Sequence, residues 1–174
     1  MKKLSHSQIV TRQKANMKEP RLSFCVVLNN IRSLFNVGSI FRTADGAGIE
    51  KIWLCGITGY PPAADIAKTA LGAQERVPWE YTASALDVIR KLKKKGYQIV
   101  ALEQTTKSIP HHEFRPRNKV CLVIGHEITG VHDDVVDLCD AAIEIEMMGV
   151  KNSLNVAVAF GIAAYHIRHC LLKI

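Results

Sequence analysis

Apolar positions along the chain fall into two rhythms. Leu22–Leu28 (LSFCVVL), Lys51–Cys55 (KIWLC), Tyr97–Leu102 (YQIVAL) and Lys119–Ile124 (KVCLVI) are short, nearly continuous apolar runs. That is the pattern of strands covered on both faces. Between them the period changes. Val37, Ile40, Phe41, Ala44 and Ala47 recur at helical spacing and predict a helix over 37–47, ended by Gly48. Ala85, Val88, Ile89 and Leu92 predict a second over 82–95, with Lys91 and Lys93–Lys95 mostly outward and Gly96 as its stop. Shorter helices are expected at 65–71 and 132–139, and a brief strand at 79–81. Residues 4–19 are polar and weakly helical and are stopped by Pro20, so 1–20 read as an N-terminal arm without a core of its own. Asn29–Asn36, Gly56–Ala64 and Glu103–Asn118 are loops.

Residues 143–165 (IEIEMMGVKNSLNVAVAFGIAAY) combine both rhythms. They predict a strand from Ile143 to Met147, a polar loop over 148–152, and a helix over 153–172 with Val156, Phe160, Ala163, Ile167 and Leu171 on one stripe. Asn152, Ser153 and Asn155 crowd the start of that helix. They suit capping of its free N–H groups, or a ligand site at the positive end of the helix dipole. The pattern leaves both open. Strands alternating with helices predict a single α/β domain over 1–174, its sheet mostly parallel and flanked by helices, with ligands at the carboxyl ends of the strands.

Composition narrows the class. A chain of 174 residues can bury a real core. Twenty-three Lys and Arg against sixteen Asp and Glu give +7, which suits a polyanionic partner. The apolar run 156–164 is too short to cross a bilayer, and MKKLSHSQIV lacks the apolar segment of a secretory signal. The expectation is a cytoplasmic protein with no membrane partner. The five cysteines form no C-x-x-C pair, and Cys25, Cys55 and Cys121 sit inside strand-like runs. They read as buried, reduced thiols rather than as a disulfide frame or a zinc site.

Candidate chemistry lies in three loops that follow strand ends. In the first, Asn29 to Ala44, Arg42 leans back over Gly38 toward the Asn29–Asn36 loop, because helical side chains tilt toward the N-terminus. The competing role for Arg42 is an ion pair with Asp45. In the second, I-G-H-E-I-T-G, Gly125 and Gly130 permit close approach of a ligand, and Glu127 suits binding a hydroxyl or orienting a neighbour. The third is the 143–165 stretch. No H-E-x-x-H pattern is present, His111-His112-Glu113 reads as a solvated loop, and His166 and His169 as a polar helix face, so no metal is expected. G-x-G-x-x-G, the P-loop and G-x-S-x-G are all absent.

Taken together, the three loops resemble the SpoU (TrmH-type) branch of the SPOUT superfamily, the RNA ribose 2′-O-methyltransferases. The first motif is matched by Asn36, Gly38, Ile40, Arg42, Thr43 and Ala44. The second is matched by Gly125, Glu127 and Gly130, and the third by Ile145, Met147, Gly149, Ser153, Leu154, Asn155 and Val156. The likeness runs from about Leu22 to the end. Two positions depart from it: Glu146 stands where the family has proline, and His126 where relatives often have Asn, Ser or Pro.

The resemblance implies a deep C-terminal trefoil knot that holds S-adenosylmethionine, and a homodimer built around it. It implies cofactor contacts from Leu102, Glu103, Gly125, Glu127, Ile145, Met147 and Leu154. It makes Arg42 the principal catalytic residue. A guanidinium stays protonated, so its expected role is to hold the adjacent phosphate through its fork and to stabilise the developing alkoxide. Asn36 is expected to position the ribose, while Glu127, Ser153 and Asn155 hold that geometry and complete the pocket wall. RNA contacts are expected from Arg12, Lys14, Lys18, Arg32 and Tyr60, and from the lysines of 91–95. The substrate expected is RNA, with tRNA favoured over rRNA. The alternatives are an rRNA 2′-O-methyltransferase and an inactive relative that only binds RNA.

Overall fold

The computed structural model describes residues 1–16 and 21–173; Lys18 and Pro20 of the expected arm lie outside them. Seven strands form one sheet: β1 (Leu22–Asn29), β2 (Ile49–Cys55), β3 (Trp79–Thr82), β4 (Gln98–Leu102), β5 (Ile109–Pro110), β6 (Val120–Ile124) and β7 (Ala141–Glu144). The helices are α1 (His6–Asn16), α2 (Leu34–Ala47), α3 (Ala64–Ala70), α4 (Ala85–Lys94), α5 (Asp133–Val136) and α6 (Val156–Leu171). The order across the sheet is β3-β2-β1-β6-β4-β7-β5, and every strand pair is parallel. Among the described residues, no helix is long and apolar enough to cross a membrane.

Alternation along the central strands divides the core between the two faces of the sheet. Phe24, Val26 and Leu28 of β1 join the cluster beneath α2, α3 and α6, while Cys25 and Val27 join the one beneath α4 and α5. Burying each large apolar side chain contributes roughly 1.5–3 kcal/mol, so strands clad on both faces hold the frame. Cys25, Cys55 and Cys121 are buried free thiols, as their setting predicts. Burial pushes Cys55 up to about 12, which keeps it protonated and inert. Helix α1 has no buried residue.

Several boundaries differ from the sequence expectation. Helix α2 begins at Leu34, because the Ser33 side chain accepts from the Asn36 N–H and caps it. Asn36 therefore sits in the first helical turn, not in a loop. Helix α4 starts at Ala85, behind a Ser84 cap, and α5 is a single turn at 133–136. The expected strand 143–147 ends at Glu144, and the closing helix starts at Val156 with Asn155 as its cap. Residues 145–155 thus form a longer irregular segment. The loop 103–118 also contains β5, too short for any periodic signal.

Gly38 has a different purpose from the one expected. A Cβ there would collide with the Ile66 carbonyl and the Thr69 hydroxyl, and would sit 3.1 Å from the Ala70 nitrogen. The missing side chain lets α3 cross directly on α2; it does not make room for Arg42. Helix α6 also packs on α2, where the Cβ position of Gly161 lies 3.8 Å from the Thr43 methyl.

Candidate active site

The strand order reverses between β1 and β6, so the loops leaving their carboxyl ends diverge and open a crevice. The loop after β1 is fixed from below. The Thr58 hydroxyl donates to the Leu28 carbonyl (3.0 Å) and accepts from the Ile31 N–H (3.0 Å). Asn30, at φ 64, accepts the Ile57 N–H with its side-chain oxygen (3.1 Å). This leaves the N–H groups of Arg32 and Ser33 pointing across the crevice.

Glu127, in the loop after β6, receives them. One carboxylate oxygen accepts the Arg32 N–H (3.0 Å), and the other accepts the Ser33 N–H (3.0 Å) and the Asn36 amide (3.0 Å). Burial pushes the Glu127 carboxyl up, but these donors outweigh it and hold the group below its ordinary value. The Asn36 side-chain oxygen accepts from the Asn155 amide (3.0 Å), and the Asn155 oxygen accepts from the N–H groups of Ala157 (2.9 Å) and Val158 (3.4 Å). A continuous hydrogen-bonded chain thus runs from the start of α2, through Glu127, Asn36 and Asn155, to the start of α6. It unites residues singled out from sequence, or their neighbours, across separations of 91 and 119 positions.

Beside this chain lies a cleft of about 300 Å³ between the loops that follow β4, β6 and β7. Leu102, Glu103, Gly125, Glu127, Ile145, Met147 and Leu154, the seven expected cofactor contacts, all line it, as does Ser153. The loop 125–130 is closed by paired bonds between His126 and Gly130 (3.0 and 2.9 Å). The His126 Nδ1 accepts from the N–H of Ile128 (3.1 Å) and Thr129 (3.3 Å), so an imidazole here serves as an internal turn cap. On the side where these glycines would carry a Cβ, the space is filled by protein. A Cβ on Gly125 would meet the Gly130–Val131 backbone, and one on Gly130, at φ +68, would meet the Glu103 carboxylate. Glu103 in turn accepts the N–H groups of Val131 (2.8 Å) and Gln104 (2.9 Å).

Charge decides which kind of ligand the cleft suits. Its lining carries three carboxylates (Glu103, Glu127 and Glu144) and, among the described residues, no lysine or arginine. Asn155 caps α6, as the capping reading has it, while Asn152 and Ser153 line the cleft. A cationic ligand with an apolar portion fits, the latter against Leu102, Ile124, Ile145 and Leu154.

The other expected residues stand apart from the cleft lining. Arg42 is exposed on α2 and forms no ion pair among the described residues; Asp45 pairs with Arg21 instead (3.5 Å). Arg12 and Lys14 lie exposed on α1, and Lys18 is outside the described residues. Arg32 is exposed beside the crevice. Tyr60 is half-exposed against Tyr81 (ring centroids 4.7 Å) and Trp79 (6.2 Å). The sequence reading missed Ser33, whose place before an amphipathic helix was the available signal, and Gln104, whose amide donates to the Asn152 carbonyl (2.7 Å) and ties two cleft walls together. His111 is less solvated than expected: its ring packs 5.8 Å from that of His166. Among the described residues no group of three metal-ligating side chains converges.

The architecture and the sequence agree with known proteins. A Staphylococcus saprophyticus protein assigned to the TrmH family of tRNA/rRNA methyltransferases is 32% identical over 158 residues, 91% of this chain. The match covers 62% of that protein, so the chain spans about three fifths of the length of this relative. Among solved structures, the TrmH/SpoU tRNA modifying enzyme of A. aeolicus superposes with a TM-score of 0.82 at 26% identity, covering 95% of this chain and 85% of that one. The AdoMet-bound rRNA methyltransferase of Sinorhizobium meliloti gives 0.80 at 30% identity, covering 85% and 56%. The sequence model of the SpoU rRNA Methylase family matches residues 23–165, most of the chain and all three loops, and the protein belongs to that family.

Proposed function

We propose that this protein transfers a methyl group from S-adenosylmethionine to a ribose 2′-hydroxyl of RNA, with tRNA favoured over rRNA. The observation that carries the reading is the acidic, partly apolar cleft joined to the Glu127–Asn36–Asn155 chain. Preference for tRNA is supported by the A. aeolicus tRNA modifying enzyme, which this chain matches over most of both lengths. We further propose that the segment 145–155 belongs to a trefoil knot, and that two copies pair through α6. Val158, Ile162 and Tyr165 leave an exposed apolar stripe on that helix, which supports the pairing.

S-adenosylmethionine supplies a methyl carbon made electrophilic by a positive sulfonium. Leu102, Ile145, Met147 and Leu154 form the apolar side of its place, and the carboxylates of Glu103 and Glu127 favour its positive charge. Bound there, it would supply the methyl group to the 2′-oxygen, and a phosphate oxygen or water would take the 2′-proton. Arg42 holds the adjacent phosphate and stabilises the charge that develops on the 2′-oxygen. Asn36 is bound at both ends, to Glu127 and to Asn155, so its remaining amide hydrogen is what it offers the ribose. Ser153 stands on the cleft rim. Arg12, Lys14, Lys18, Arg32 and Tyr60 are the proposed RNA contacts.

Calorimetric titration with S-adenosylmethionine tests the cleft, and nucleoside mass spectrometry of methylated RNA tests the product. Arg42→Ala is expected to lower the methylation rate by about two to three orders of magnitude while leaving cofactor affinity unchanged. Arg42→Lys keeps the charge but loses the fork, and is expected to fall between. An unchanged rate in Arg42→Ala overturns the role given to this residue.

A further inference from the structure

The end of the sheet opposite the cleft carries a concentration of charge of which only the lysines of 91–95 have been considered so far. The C-terminal turn of α4 and the segment before β6 converge there and enclose a shallow cavity of about 440 Å³, lined by Lys95, Gly96, Arg117, Asn118 and Lys119. The two segments are joined: the Lys119 ammonium donates to the Lys95 carbonyl (3.5 Å), and the Gln98 N–H donates to the Lys119 carbonyl (2.9 Å). Lys91 and Lys94 extend the patch along α4. All five cations are exposed, and none forms an ion pair among the described residues. The nearby acids are already engaged: Asp140 with Lys93 (2.8 Å), Glu80 with Lys51 (2.7 Å), and Glu50 with the Tyr97 hydroxyl (2.6 Å). The Lys51 hydrogen bond, opposed by burial and joined by the fields of Lys91 and Lys95, holds the Glu80 carboxyl below its ordinary value. The positive field therefore extends from this cavity to β3.

A solvated helix end explains lysines 91–95 on their own, since cations complement a helix C-terminus. It does not explain Arg117 and Lys119, which reach the same place from a different segment. The aromatic rings at the patch lie beneath its own lysines: Trp53, only 5% exposed, under Lys51 (4.1 Å) and Lys91 (5.1 Å), and the half-buried Tyr97 under Lys119 (5.9 Å). Such a surface contacts phosphates and does not read bases. At about 3.3 Å per residue, the six residues from Lys119 to Gly125 place it roughly 20 Å from the methyl-transfer cleft, at the opposite ends of β4 and β6. An RNA that fills both must span that distance.

Resting on the RNA methyltransferase reading above, we propose that the Lys95–Arg117–Lys119 cavity and its α4 flank form a second, sequence-independent phosphate-binding surface. It holds a helical arm of a folded RNA whose methylated nucleotide lies in the distant cleft.

The test compares wild type with Lys95→Ala/Arg117→Ala/Lys119→Ala. The probes are bulk tRNA and a twelve-nucleotide single strand, and binding is followed by anisotropy across a salt series. The slope of log affinity against log salt for bulk tRNA is expected to become shallower by about 2–3, or roughly 0.7–0.9 for each phosphate no longer neutralised. Affinity for S-adenosylmethionine is expected to stay unchanged, and the slope for the single strand to change by less than that for bulk tRNA. Lys91→Ala/Lys94→Ala is an independent second variant, expected to lower the slope by about 1.5. Unchanged tRNA slopes in folded variants overturn the proposal, and mark the patch as a solvated helix end or a site for an acidic protein. Failure of the wild type to bind S-adenosylmethionine overturns the function itself, a separate outcome.

Discussion

Replacing Glu127 with glutamine keeps the shape of the side chain and removes its charge. In the wild type three donors converge on this carboxylate, from Arg32, Ser33 and Asn36, each at 3.0 Å. Hydrogen bonds to a charged group contribute about 1.5–3 kcal/mol each, neutral ones about 0.5–1.5. Glutamine offers one oxygen, so it can retain Ser33 and Asn36 as neutral bonds, while its NH2 group then faces the Arg32 N–H. The Arg32 donor is open to solvent and recovers a partner in water, which discounts the loss there. The expected net destabilisation is about 2 kcal/mol at pH 7. Urea unfolding of both proteins over a pH series measures it. The folded Glu127 carboxyl titrates below its ordinary value of 4.5, so its stabilising contribution is complete above that value and is lost as pH falls through the lower, folded one. The gap between wild type and Glu127→Gln should be constant at neutral pH and close in acid, where the protonated acid resembles the amide. A gap that stays constant down to about pH 3 refutes the assignment of this carboxylate as an anion held by its donors.

Two further substitutions probe the frame around the same chain. Gly38→Ala places a methyl against the α3 backbone and should cost about 2–3 kcal/mol, lowering Tm by roughly 5–10 °C in a melt followed by circular dichroism; an unchanged Tm rules out the close α2–α3 crossing. Asn155→Ala removes the α6 cap and the donor to Asn36, and should cost about 2 kcal/mol in urea unfolding. Asn155→Asp keeps an acceptor for the cap but loses the donor, so it should recover about half of that loss. Equal damage from Ala and Asp means that capping is not the role of this residue.

The parallel sheet was legible because β1, β2, β4 and β6 are apolar at nearly every position, and only strands covered on both faces need that. The boundaries of β7 and α6 were misread for a related reason. Ile145, Met147 and Leu154 continue the apolar pattern, but they face the open cleft rather than the core. Apolar residues lining a site mimic the periodicity of an element, so site segments look like extensions of the strands and helices beside them. Gly38 was misread in the opposite sense, and at Gly125 the same signal is ambiguous. Their glycine identity signals a close approach, but the sequence does not say that the approaching group is α3 in one case and the 130–131 backbone in the other. The links from Glu127 to Asn36 and from Asn36 to Asn155 leave no local mark at all, because each joins loops brought together only by the strand order.

That chain of amides also has a fixed direction, set by its two ends. Ionised Glu127 can only accept, so Asn36 must turn its NH2 toward it and its oxygen away. The oxygen of Asn36 then requires a donor, which turns the NH2 of Asn155 inward. The oxygen of Asn155 is left facing the free N–H groups of Ala157 and Val158, the groups a helix start needs to satisfy. An anion at one end and a helix N-terminus at the other thus align both amide dipoles the same way, and each bond polarises the next. Reversing either amide would set donor against donor at α6 or oxygen against carboxylate at Glu127. The start of α2, the Glu127 loop and the start of α6 are therefore held as one unit, and the cleft wall formed by Ser153, Leu154 and Val156 takes its position from it. The asparagine first legible as a helix cap acts through that cap to fix the geometry of a site that its own side chain does not line.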